Sequence, residues 1–130
     1  MLKSLKFLLL AITASAIMAC SSFTQPISKP EASVPAGLST KTVSATIVKS
    51  LQDRDWIVKS NKNGVINAVL IVRGHKAIID IPYNNRSFAI LYKDSENLKA
   101  NGNNIHNKYN HWVNNLLVDI KNNLDKEASK

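Results

Sequence analysis

The residues able to do chemistry in this chain are few. It has three histidines, His75, His106 and His111. His106 and His111 are five apart on a segment with helical periodicity, which turns them about 140° from each other. That spacing cannot close on one metal ion, so no metal or other cofactor is expected. Asp94 and Glu96 flank Ser95. On an extended segment such neighbours point away from the serine, and no partner completes an acid–base or nucleophilic set with it. Ser95 and His106 can be drawn as a dyad, but no third member or oxyanion donors accompany it. Phosphate-binding glycine loops, His-Glu-x-x-His and Gly-x-Ser-x-Gly are all missing from the sequence. The expectation is a protein that is not an enzyme.

Two other groupings invite a binding role. Asp94, Ser95, Asn97, His106 and Asn110 gather around one loop and the start of a helix. His106 and Asn110 are four apart and share a helix face. They could hold a small polar molecule such as a glycan or a peptide. They could equally satisfy the backbone of the loop and pin it to the helix, and these residue types favour that second role. The second grouping is apolar: Val69, Ile71, Ile78, Ala89 and Leu91 fall on one face of the expected sheet. Arg73, Lys76, Asp80 and Lys93 ring them. If both helices are needed on the other face, this patch is exposed, and contiguous exposed apolar area marks an interface.

The elements that would position these residues follow from periodicity. A first helix should start at Ser39 or Thr40 and end near residues 53–55, because Val43, Ile47 and Leu51 recur every four residues. Four strands should follow at residues 56–58, 65–73, 76–83 and 86–93. Asn63-Gly64, Gly74 and Asn84-Asn85 supply the tight turns between them. Alternation puts Ile66, Ala68, Leu70 and Val72, Ala77, Ile79, Ile81 and Tyr83, and Phe88, Ile90 and Tyr92 on the core face. A polar loop at 94–104 leads to a last helix capped by Asn103 or Asn104. Its stripe is Ile105, Tyr109, Trp112, Leu116, Ile120 and Leu124. The expected class is α+β, in the order αββββα: a four-stranded antiparallel meander with two helices packed on one face.

The N-terminus reads differently. Lys3 and Lys6 precede an uncharged, mostly apolar run of 13 residues, 7–19. That is the pattern of a secretion signal, and it falls short of the roughly 20 residues that span a bilayer. Ile17-Met18-Ala19-Cys20 resembles the lipobox of bacterial lipoproteins, in which the cysteine is acylated and becomes the first residue; Met18 departs from the usual small or β-branched residue. Ordinary cleavage after Ala14-Ser15-Ala16 is the alternative. Cys20 is the only cysteine. In an oxidising compartment it would be a stray thiol, and acylation removes that liability. Ser21 in place of Asp implies, by the same resemblance, sorting to the outer membrane, with the domain facing the periplasm.

The domain boundaries that follow are 1–19 for the signal, 20–38 for a lipidated cysteine and flexible tether, 39–125 for a single α+β domain, and 126–130 for a frayed tail. The tether reading rests on Pro26, Pro30, Pro35 and Gly37 among small polar residues. Without the signal, 15 basic residues face 9 acidic ones, a net +6. The basic residues are scattered, as on a solubilising surface, and an envelope address argues against nucleic acid. The expected partners are the membrane, through the lipid on Cys20, and an envelope protein or a second copy of the chain.

The stretches 87–98, closing on Ser95-Glu96-Asn97-Leu98, and 105–116, with Ile105-His106 followed by Asn110 and Trp112, resemble a family of small Gram-negative lipoproteins. The turn Arg73-Gly74-His75 fits it too, and the resemblance covers roughly residues 45–124. It implies a lipid anchor and an αββββα domain, and it implies no reaction.

Overall fold

A computed structural model of the chain describes residues 23–130. The signal expected at 1–19 and the lipid attachment expected at Cys20 lie outside the described residues. Helix α1 spans Thr40–Asp53. Ser39 caps it, its Oγ accepting from the Thr42 amide at 3.1 Å. Val43, Ile47 and Leu51 are fully buried, and so is Ser50. The Ser50 hydroxyl donates to the Thr46 carbonyl at 2.8 Å and accepts from Asn123 Nδ2 at 2.9 Å, which satisfies it between the helices.

Among the described residues, five of the eight strands lie between the helices' expected positions. They are β3 (Ile57–Lys62), β4 (Val65–Val72), β5 (His75–Pro82), β6 (Ser87–Ala89) and β7 (Leu91–Glu96). β3, β4, β5 and β7 form an antiparallel sheet in that order. Asn63 and Gly64, and then Arg73 and Gly74, all take positive φ. Those are the angles a two-residue hairpin turn requires, and they match the twist of the strands. Helix α2 spans Asn107–Ala128 and buries Tyr109, Val113, Leu116, Ile120 and Leu124. One hydrophobic cluster joins these residues to α1 and to Ile66, Ala68, Ala77, Ile79 and Ile81. The two helices therefore cover one face of the sheet, and the α+β expectation holds.

Four expectations need correction. The first is the tether. β1 (Thr24–Pro26) pairs with β8 (Asn104–His106), and β2 (Glu31–Ser33) pairs with β6, both antiparallel. Val34 is buried, and Ile27, Ala32 and Leu38 pack against the core. Prolines permit this because each ribbon is only two strands wide and needs few amide donors from the N-terminal segment. Pro30 contributes as an acceptor, taking a 2.9 Å bond from the Ile90 amide.

The second is the strand expected at 86–93, which breaks at Ile90. Its first half leaves the sheet to pair with β2, and only its second half pairs with β5. The Asn84 side chain accepts from the amides of Arg86 and Ser87 at 2.8 and 2.9 Å, closing the preceding turn. The third is the loop at 94–104. β7 runs on to Glu96 with a register shift opposite Ile78, a bulge that allows the strand to continue past the expected end. The fourth is the start and end of the last helix. His106, not an asparagine, caps α2, and the helix continues through Ala128 where a frayed tail was expected. Trp112 is only half-buried, and Val113 takes its place in the stripe.

Candidate functional site

The polar cluster is best followed outward from α2. The His106 amide donates to the Leu98 carbonyl at 2.8 Å, tying the loop to the helix start. His106 Nδ1 accepts from the Lys108 amide at 3.0 Å, so that nitrogen carries no proton. Burial, followed by the charges of Lys108 and Lys99 and by His75, holds the His106 pKa below the ordinary histidine value. One turn further, Asn110 is wholly engaged with the N-terminal segment. Its Oδ1 accepts from the Ser28 amide at 3.0 Å, and its Nδ2 donates to the Pro26 carbonyl at 2.9 Å and to Gln25 Oε1 at 3.3 Å.

The other members face elsewhere. Asn97 adopts a positive φ of 57°. Its carbonyl accepts from His75 Nδ1 at 2.6 Å, and its Nδ2 lies 3.4 Å from the Gly74 carbonyl. The loop is thus tied to the β4–β5 turn. Ser95 Oγ meets the Tyr92 hydroxyl at 2.8 Å, and Asp94 accepts from the Ser95 amide at 2.8 Å. The five residues do not converge on one cavity. Asn97, His106 and Asn110 each fasten a different segment to the same end of the domain.

Sequence reading missed His75 here. Its Nδ1 faces a carbonyl and must donate, which leaves Nε2 as an acceptor 3.4 Å from Lys108 Nζ. Its ring also tilts against Trp112, centroids 6.4 Å apart. The histidine lies 22 residues before Asn97 and 33 before Lys108, so no local pattern announces the contact. Among the described residues, no three His, Cys, Asp or Glu side chains group as metal ligands would.

The second grouping lies on the sheet's outer face. In register, Ile57, Val69 and Ile78 form a row across β3, β4 and β5. Ile71 stands two residues along β4 from Val69, and Leu91 lies diagonally beyond Ile78, opposite Asp80. Val69 is 6% exposed because its neighbours in the row flank it. Ile57, Ile71 and Leu91 remain 49%, 61% and 37% exposed. Ala89 does not join them. It sits on β6 opposite Glu31 and is buried there, because the N-terminal segment pairs along that strand. Ile57 is the member that sequence reading left out. Charged groups border the face, with Lys93 3.5 Å from Asp80 and Lys76 3.7 Å from Glu96.

Next to Ile71 opens a cleft of about 370 Å³ between β4, the end of α1 and α2, lined by Trp56, Trp112, Arg54 and Asn115 among others. A larger groove of about 570 Å³ runs between the helices at the opposite end, with Lys41, Lys49, Lys126 and Lys130 on its walls and Glu127 among them. No protein-family model, curated protein or solved structure matches the chain.

Proposed function

We propose that this protein is a non-enzymatic binding module, held at the outer membrane by a lipid on Cys20, that docks onto another protein of the cell envelope. A second copy of the chain counts among such partners. The anchor half of the reading rests on residues 3–20: a basic start, an apolar run and Ala19-Cys20. The docking half rests on one observation. Of the five large apolar residues exposed among the described residues, Ile57, Ile71 and Leu91 share the outer face of the sheet. An apolar face left in water costs solubility, and a partner that covers it recovers that free energy. The alternative, a polar-ligand site built from Asn97, His106 and Asn110, has less support. The asparagine amides and His106 Nδ1 are already bonded within the fold.

Crosslinking on native membranes tests the docking half. The double variant Ile57→Glu, Ile71→Glu should lose its crosslinked partner while its stability changes by no more than about 0.5 kcal/mol, as for other surface positions. An unchanged crosslink pattern would remove the face from consideration. Replacing Cys20 by Ser tests the anchor half, and the variant should no longer sediment with membranes.

A further inference from the structure

Fixing residues 23–34 to the fold changes where a lipid on Cys20 would hold the domain. The Asn107 amide, the first of α2, donates to the Phe23 carbonyl at 2.8 Å. Phe23 is three residues from Cys20. Fully extended, that stretch reaches about 11 Å. An 18-residue tether would have allowed tens of ångströms.

Whatever surrounds the α2 N-terminus must therefore lie near the bilayer. Phe23 itself is 65% exposed. Lys108 follows Asn107, and Lys99 follows Leu98, whose carbonyl takes the His106 amide. Arg73 sits in the β4–β5 turn beside Gly74, which Asn97 contacts. All three cations are exposed. Among the described residues, none of them has a carboxylate within 4.0 Å. The first turn of α2 carries no acidic residue. Glu96, next to Asn97 in the chain, is paired with Lys76.

We infer that the end of the domain formed by Phe23, Arg73, Lys99 and Lys108 rests on the anionic lipid surface that holds the anchor. This rests on the lipid-anchor reading above. The cations meet lipid phosphates, and the apolar ring of Phe23 inserts at the boundary between headgroups and acyl chains, as apolar side chains of interfacial segments do. Charge alone would not choose this end, because the groove between the helices gathers Lys41, Lys49, Lys126 and Lys130 at the opposite end. The short reach from Cys20 chooses it. The long axis of α2, 22 residues or about 33 Å, then points away from the bilayer.

Two labelled forms of the full acylated chain test this, one labelled through Asn103→Cys near the α2 start and one through Lys126→Cys near its end. With Cys20 acylated, each carries one free thiol. Both are reconstituted into vesicles of phosphatidylethanolamine and phosphatidylglycerol that contain a headgroup-attached quencher. The label at 103 should be quenched several-fold more than the label at 126. Adding Lys99→Glu and Lys108→Glu should shrink that ratio, and so should a glycine–serine insertion of about 20 residues between Ser22 and Phe23, which gives a flexible reach. Equal quenching, or stronger quenching at 126, overturns the inference while leaving the anchor intact. A ratio unmoved by the charge reversals overturns the lipid-phosphate contact. Failure of both labelled forms to float with vesicles sinks the anchor reading, and this inference with it.

Discussion

The α2 start and the outer sheet face both present side chains suited to binding, and they differ in what those side chains already touch. At the helix start, Asn97, His106 and Asn110 bond to a turn, to the helix backbone and to the N-terminal segment. On the sheet, Ile57 and Ile71 remain about half exposed, with none of the described segments over them. A polar group can be satisfied by the chain that carries it, because every nearby amide and carbonyl is a partner. An apolar group on a sheet can be covered only by another layer. The described residues form two helices, and both lie on the opposite face. Polar clusters in a small domain therefore tend to be consumed by the fold, whereas an apolar surplus is left for something else.

Three measurements would break or sharpen that contrast. The largest effect is expected from Leu98→Ala. Leu98 is the one large apolar residue of the loop and is 1% exposed. Its truncation should cost about 2–5 kcal/mol of stability by denaturant unfolding, as for other buried leucines. A loss comparable to that of a surface residue would mean that the loop is not fastened as described.

Asn110→Ala comes next. It removes three hydrogen bonds to residues 25–28. The expected loss is about 1–3 kcal/mol, with residues 23–34 becoming sensitive to protease. Unchanged stability and protease resistance would return Asn110 to the pool of residues free to bind a ligand.

Acidification should give the smallest effect. The folded pKa of His106 lies below the ordinary value of 6.5. The folded state therefore binds fewer protons than the unfolded state just below that pH. The His106 contribution is fully present above the unfolded value and is lost as pH falls through the folded one. Protonation also removes the Nδ1 acceptor that caps α2. Unfolding followed from pH 7.5 downward should show stability falling below about pH 6.5, with His106→Asn, which retains a capping acceptor, flattening that dependence. Equal slopes for both proteins would remove His106 as the cause.

Much of the fold was legible because its rules are local. The Asn63-Gly64 turn, the alternation of Ile66, Ala68 and Leu70, and the four-residue spacing of Val43, Ile47 and Leu51 all appear where the sequence suggests. So do four of the five proposed members of the outer face. Ala89 was misplaced because burying it depends on β2, more than 50 residues earlier in the chain. Ala32 and Val34 do alternate with Glu31 and Ser33, but so short a run beside prolines carries no signal that separates a strand from a linker. Tyr109 shows the same limit in the core. Its stripe position is evident, yet only the packing reveals a buried hydroxyl with no partner among the described residues, its ring edge-on to Tyr92 at 5.5 Å.

By itself the sequence determined the apolar stripes of both helices, the turns at Asn63-Gly64 and Gly74, and which face of the sheet joins the core, since periods of 3.6 and 2 act over neighbouring residues. Tertiary structure alone decided that residues 24–26 and 31–33 join the domain as strands, that Asn110 of the polar cluster is fastened to residues 25–28, and that Phe23 ends beside the first residue of α2. Those contacts join residues about 50–85 apart along the chain. Hydrogen bonds across such separations leave no mark on local periodicity, because each partner obeys only the geometry of a strand edge that the rest of the fold supplies.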